Sequence, residues 1–317
     1  MADKVLNKYE VSIISPVYNA EKILPELVER VCSVCEANKY TYEVILVDDH
    51  SKDNSWITLK TLCKSYPALK AFRLSRNFGQ HSAITAGIIK SAGKVVIIMD
   101  CDLQDNPNYI PDLISKHEEG FHVVCTIKES KKYSWYRKIT SDIFFLIINK
   151  LSDVQLEKNL GTFTLIDRVV ADEFIKIRDY HRHTSLIFAW LGFKRGYVHV
   201  KHESRFEGKS SYSFNKLIAH AINGVVSQSD KILRWSITLG MMLFISSILG
   251  IIYILIKSFY VNYDAGWPSL FVTIIFTTGT VLLMLGILGL YIGKIFEQVK
   301  ERPLFIVEES TENNTDS

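Results

Sequence analysis

Two long uncharged, largely apolar runs near the C-terminus, residues 236–256 and 270–292, constrain this chain more than any other feature. Neither holds a charged side chain, and as helices each matches the ~30 Å hydrocarbon core of a bilayer. An ionised group at mid-bilayer costs at least ~2.5–3.5 kcal/mol, which accounts for the missing charge. Cations flank the runs instead: Lys231 and Arg234 before the first, Lys294, Lys300 and Arg302 after the second. The connecting loop holds Lys257 and Asp264. The positive-inside bias predicts two transmembrane helices, both chain ends in the cytoplasm, and residues 260–269 outside.

The remainder reads as a water-soluble domain. The apolar fraction of 48% is ordinary only because it averages this domain with the runs. A formal charge of +3 and the lack of a basic block exclude nucleic acid as a natural partner. Cys32, Cys35, Cys63, Cys101 and Cys125 are odd in number and precede the apolar runs, as expected of reduced thiols in the cytoplasm. Cys32-x-x-Cys35 has no second pair at zinc-like spacing. The first ten residues are polar and charged, so no signal peptide is expected.

Buried strands are predicted at 11–17, 42–48, 68–74, 94–100 and 123–126. Helices are predicted over 21–36, where Ile23, Leu27, Val31 and Val34 share a face, over 81–91, and after Pro107 and Pro111. This alternation specifies an α/β sheet of parallel character, with ligand at the strands' C-terminal ends. Asp48-Asp49 and Asp100-Cys101-Asp102 fall at such ends. Residues 133–151 interleave aromatic and basic residues, suiting a core helix or one lying in the headgroup region. From Phe214 to Val226 apolar residues recur in steps of three and four, predicting an interfacial amphipathic helix. The acidic segment 308–317 is expected to be disordered. The boundaries are a cytosolic catalytic domain over 1–213, the interfacial helix over 214–234, a two-helix anchor over 235–293 and a cytosolic tail over 294–317.

Asp100 and Asp102, closing an apolar strand, can share a divalent cation. Hard oxygen donors in a partly hydrated site suit Mg²⁺ or Mn²⁺ bridging a diphosphate, where the cation neutralises charge on a departing nucleotide. His181-Arg-His183 lacks an acidic partner, and its i, i+2 spacing favours a surface or donor-pocket role over metal binding.

In chain order come Ser15-Pro-Val-Tyr-Asn19, Val47-Asp-Asp-His-Ser-Lys-Asp-Asn-Ser55, Arg76-Asn-Phe-Gly79, Asp100-Cys-Asp-Leu-Gln-Asp105 and Arg205-Phe-Glu-Gly-Lys-Ser-Ser-Tyr212. Gly286-Ile-Leu-Gly-Leu-Tyr-Ile-Gly293 and Arg302-Pro303 follow. This series resembles the membrane-anchored glycosyltransferase family 2 enzymes that load sugars onto polyprenyl phosphate, over residues 10–307. The resemblance implies a GT-A-type domain followed by interfacial helices and two transmembrane helices. It also implies a nucleotide-diphosphate sugar as donor, polyprenyl phosphate as acceptor, inversion at the sugar and a role in cell-surface glycans at the inner membrane. Pro16, Tyr18 and Asp49 would hold base and ribose, with Arg76 bracing the pocket. Asp100 and Asp102 would hold metal and diphosphate. Arg205 and Lys209, with Ser210 beside them, would clamp phosphate. Asp102, Asp105, Arg205 and Lys209 form the implied catalytic set. The glycine ridge Gly286, Gly289, Gly293 permits close helix contact within or between chains, so a homo-oligomer is allowed.

The chain departs from its relatives where it matters chemically. Glu follows the Tyr-Asn pair in many of them, whereas here Ala20 precedes Glu21. Gly161-Thr162-Phe163-Thr164-Leu165 stands where many have Gly-Asp-Phe-Arg-Leu, and Thr162 is a poor base. A phosphate monoester, with its second pKa near ~6, arrives ionised at neutral pH, whereas a sugar hydroxyl needs a positioned base. A lipid-phosphate acceptor is therefore favoured. The alternatives are transfer to a hydroxyl of a lipid-linked glycan, with Asp105 as substitute base, or a catalytically silent nucleotide-sugar-binding membrane subunit. A transporter is disfavoured, since the spans carry no ionisable residues.

Overall fold

The computed structural model describes residues 9–128, 160–180, 182–200, 231–258 and 266–312. The first half runs β1 (Tyr9–Val17), α1 (Leu24–Ala37), β2 (Tyr42–Asp48), α2 (Ser55–Ser65), β3 (Leu69–Leu74), α3 (Gln80–Lys90) and β4 (Gly93–Ile98). A 3₁₀ turn (Pro107–Tyr109) leads to α4 (Ile110–Glu118) and β5 (Val123–Lys128). Then come β6 (Leu160–Asp167), α5 (Arg168–Lys176), α6 (Thr184–Trp190) and β7 (Arg195–Val200). Two long helices, α7 (Lys231–Ser258) and α8 (Trp267–Val299), precede a last strand, β8 (Val307–Ser310).

One eight-stranded sheet has the order β7-β5-β6-β4-β1-β2-β3-β8. β1 sits at its middle, parallel to both β2 and β4. Strands covered on both faces need apolar residues at successive positions, and β1, β2 and β4 supply them. Val11, Ile13, Val44, Leu46, Val95 and Ile97 join the core under α1, α2 and α4. Ile14, Ile45, Val47, Val96 and Ile98 point the other way, into the core under α3, α5 and α6. Gly87 lets α3 close on β1, because a Cβ there would collide with Ile14.

The sheet is mixed, not simply parallel. β6 is inserted antiparallel between β4 and β5, with Thr164 opposite Ile98. An antiparallel strand delivers its first residues, not its last, to the C-terminal end of β4. That topology brings Thr162 to the acidic motif.

The acidic tail is a correction to the sequence reading. Val307–Ser310 pairs antiparallel with β3, and Phe305 and Val307 pack on the α3-side core. Apolar residues just ahead of the acidic stretch, with an open strand edge beside them, order it.

The chain divides into two compact units, and the segment from Arg302 groups with the sheet. The other unit contains α7 and α8, of 28 and 33 residues. Among the described residues one stretch, Phe276–Val299, is long and apolar enough to cross a membrane. Thr277 and Thr280 keep their hydroxyls satisfied within α8 by donating to the carbonyls of Thr273 and Phe276 at 2.9 Å. The expected helix at 133–151 and residues 214–230 of the interfacial helix expected over 214–234 lie outside the described residues, and residues 231–234 begin α7.

Candidate active site

The loops after β1, β2, β3 and β4, with the end of β5 and the start of β6, bring the candidate residues together. Among the described non-glycine residues with positive φ, Asn19, His50 and Leu103 lie in the loops after β1, β2 and β4. Such conformations collect where a site over-determines the backbone. Asn19 N–H donates to Ser51 Oγ at 2.9 Å, and Asn19 Oδ1 accepts from Lys52 N–H at 2.9 Å. These bonds bind the β1 loop to the β2 loop. Pro16 is buried, whereas Tyr18 is 44% exposed at the rim.

Asp49 is buried, and its carboxylate accepts from the N–H groups of Phe78 and Gly79 at 2.7 and 2.8 Å. Burial raises its pKa, and these two amides oppose the rise. The residue thus organises the Arg76–Gly79 loop. Each carboxylate oxygen retains a second lone pair with which a donor base could be met. Gly79 has φ +93°, a conformation that favours glycine, at the entry to α3. Arg76 is exposed, with its guanidinium 4.3 Å above the Phe78 ring.

Asp100 is the centre of the site. Its Oδ1 accepts from Gln80 Nε2 at 2.7 Å and its Oδ2 from the Thr162 hydroxyl at 2.7 Å. Thr162 also lies 3.3 Å from Asp105 Oδ2, while Lys128 Nζ is 3.1 Å from Asp105 Oδ1. Burial first, then the charges of Asp105 and Asp102, push the Asp100 carboxyl up to about 6. Cys101 is pushed up to about 12, chiefly by burial. Asp102 Oδ1 accepts from Gln104 N–H at 3.2 Å, closing the turn.

The donor set fits a hard divalent cation. Asp100, Asp102 and Asp105 concentrate negative charge beside Lys128, and burial first, then the neighbouring carboxylates, raise the Asp100 pKa. No group of three His, Cys, Asp or Glu side chains among the described residues forms a metal cage.

The structure therefore gathers Pro16, Tyr18, Asp49, Arg76, Asp100, Asp102 and Asp105 at one end of the sheet. Arg205, Lys209 and Ser210 lie outside the described residues. So does His181. Arg182 is buried against Phe174 and donates to its carbonyl at 2.6 Å, and the His183 ring lies 4.6 Å from that of His81. Sequence reasoning missed Gln80 and Lys128. Lys128 had a signal, a cation closing a buried strand; Gln80 had none beyond following Gly79. The Cys32 and Cys35 thiols are free and buried in α1, with raised pKa values from burial.

Comparison with known proteins meets this geometry from outside. Residues 12–175 match the model of the family described as Glycosyl transferase family 2. An uncharacterised glycosyltransferase, sll0501, of Synechocystis sp. is 35% identical over 95% of this chain and 95% of its own. A prophage-derived bactoprenol glucosyl transferase of Shigella flexneri is 31% identical over 96% of this chain and 99% of its own. Among solved structures, the mannosyltransferase PcManGT of Pyrobaculum calidifontis, in complex with GDP-Man and Mn²⁺, shares the fold. Its TM-score is 0.50 at 15% identity, covering 74% of this chain and 67% of that one. With matches spanning nearly its whole length, this GT-A-like chain belongs to glycosyl transferase family 2 and is a glycosyltransferase.

Proposed function

We propose that the chain transfers a sugar from a nucleotide-diphosphate sugar to membrane polyprenyl phosphate at the cytosolic face, with inversion and divalent-metal assistance. One observation carries the choice of acceptor: among the described residues, a threonine stands where β6 meets the acidic motif. Thr162 is no base: its hydroxyl donates to Asp100 Oδ2 at 2.7 Å, and Asp105, 3.3 Å from it, is ion-paired with Lys128 at 3.1 Å. A hydroxyl acceptor must lose a proton to a positioned base. An acceptor that arrives as a phosphate dianion needs none taken.

In this reading Tyr18 and the Asp49 turn receive the base and ribose. Asp100 and Asp102 hold Mg²⁺ or Mn²⁺, which when bound offsets charge on the leaving diphosphate. Gln80 and Thr162 orient the Asp100 carboxylate from its two sides. An acceptor-phosphate oxygen attacks the anomeric carbon as the bond to the nucleotide diphosphate breaks. Arg205, Lys209 and Ser210 would clamp phosphate during that exchange. The apolar length of α8 and the bactoprenol glucosyl transferase among the relatives support a lipid acceptor. A polyprenyl chain gains ~0.8 kcal/mol of membrane affinity per buried CH₂, so the enzyme must come to the headgroup.

The test supplies a panel of nucleotide sugars with Mn²⁺ to full-length protein and offers polyprenyl phosphate, polyprenol or a lipid-linked glycan. Product on polyprenyl phosphate alone is expected. Transfer to the glycan hydroxyl with none to the phosphate would replace this reading with the hydroxyl acceptor.

A further inference from the structure

The chain passes through both long helices and then returns a strand to its own catalytic sheet. β8 lies antiparallel on β3 with Glu309 opposite Arg73. Arg73 is surrounded by carboxylates: Nη1 is 3.6 Å from Glu309, while Nε is 4.0 Å from Glu308 and 3.4 Å from Asp48. Glu309 is itself held in place, accepting from Trp56 Nε1 at 2.9 Å and lying 3.4 Å from Lys60.

Asp48 is fully buried, and Arg73 is the cation beside it. Its other oxygen accepts from Ser51 N–H at 3.1 Å, and the Ser51 hydroxyl accepts from Asn19 N–H at 2.9 Å. A continuous path thus runs from Glu309 through Arg73, Asp48 and Ser51 to Asn19. It ends in the two loops that carry Tyr18 and Asp49. Every link is a contact between neighbouring groups, so the path can be tested link by link.

From this geometry we propose that Glu309, assisted by Glu308, is a positioning residue for the donor nucleotide. β8 holds Arg73 over Asp48, and Asp48 in turn holds the β1 and β2 loops in their nucleotide-receiving form. The proposal rests on the donor reading of this pocket given above. Without the two glutamates, Arg73 has bulk water as an alternative partner. Asp48 then keeps a buried charge with a weakened counter-ion, and its turn relaxes. Because the path leads to the nucleotide end and not to Asp100, the defect falls on donor affinity. Turnover at saturating donor and affinity for acceptor stay as in the wild type.

The experiment compares full-length wild type, Glu309→Gln, the double variant Glu308→Gln/Glu309→Gln, Glu309→Asp and Glu312→Gln. Glu312 pairs with Lys70 at 2.9 Å beside the same strand and lies off the path, so it controls for general loosening of β8. Donor binding is measured calorimetrically with Mn²⁺, and donor KM, acceptor KM and kcat by transfer. The double variant should raise donor Kd and KM about three- to tenfold, in the lower part of the range for residues coupled in one network. Glu309→Asp should recover most of this, and Glu312→Gln should show none of it. If the double variant melts early, Glu309→Gln alone carries the comparison. Unchanged donor affinity in both glutamine variants, or an equal loss in Glu312→Gln, overturns the proposal. A wild type that binds no nucleotide sugar would overturn the donor reading as well.

Discussion

The Thr162 hydroxyl donates to Asp100 Oδ2 at 2.7 Å, so the inserted antiparallel strand is fastened by its first turn of sequence to the acidic motif. This bond favours the ionised form of Asp100. Thr162→Val should cost less than about tenfold in rate, ~1.4 kcal/mol of barrier, because no proton abstraction is lost. It should also move the acid limb of the pH–rate profile upward, since Asp100 loses a donor to its carboxylate. Transfer to polyprenyl phosphate from pH 5 to 8 reads both effects. A loss of several hundredfold with an unshifted limb would mean that Thr162 touches the reacting atoms.

The Asp100 pKa also links metal to pH. Its folded value of about 6 lies above the ordinary carboxylate value near ~3.9. Between those two pH values the folded chain binds the extra proton, so metal-free stability falls as pH rises from ~4 to ~6. A divalent cation needs the ionised group and therefore reverses the trend, stabilising increasingly as pH passes ~6. Thermal melts with nucleotide, with and without Mn²⁺, check this without the lipid, whose own second ionisation also falls near ~6. Equal Mn²⁺ stabilisation at pH 5 and pH 8 would remove Asp100 from the metal shell.

Asp102→Asn should abolish turnover and leave the melting temperature of the nucleotide-free protein nearly intact, because asparagine keeps an Oδ1 acceptor for the Gln104 amide. Stabilisation by nucleotide with Mn²⁺ should be mostly lost. Wild-type turnover in this variant with a chelator present would end the metal assignment.

Asp49→Asn places an amide where two backbone N–H groups converge. One loses its acceptor, at a cost of about 1–3 kcal/mol for a buried unsatisfied donor. A lower melting temperature and a raised donor KM are expected, since Arg76 rides on the loop these bonds hold. Unaltered stability would show that the loop stands without them.

For topology, a cysteine at Ser269 should react with an impermeant thiol reagent added outside intact cells. One at the exposed Glu29 of α1 should not. Native Cys101 is a poor reporter, because a thiol pushed up to about 12 reacts slowly on either side. The reverse labelling pattern would invert the assumed orientation.

The centre of the fold was legible in the sequence because its signals are local. β1, β2 and β4 are short buried apolar runs, and α1 announces its face through Leu27 and Val31. The insertion of β6 was not legible, since strand direction depends on pairing partners far along the chain. The Asp100 and Asp102 motif could be read from its position at a strand end. Gln80 could not, because its role is set by where α3 begins relative to β4. The tail was misread because net acidity argued for solvent. Arg73, Lys60 and Lys70 sit too far away in sequence to reveal that its acidic groups have partners.

The late position of β8 in the chain gives the protein an order of assembly. As the polypeptide leaves the ribosome, the sheet domain has all of its described strands but one before either hydrophobic helix emerges. Until residue 310 is made, β3 remains an open edge able to pair with any extended chain nearby. The edge closes only after both hydrophobic helices have been synthesised. A chain stalled or truncated at the second helix would thus keep most of its core and still carry an adhesive edge. Such a product belongs to quality control rather than to catalysis.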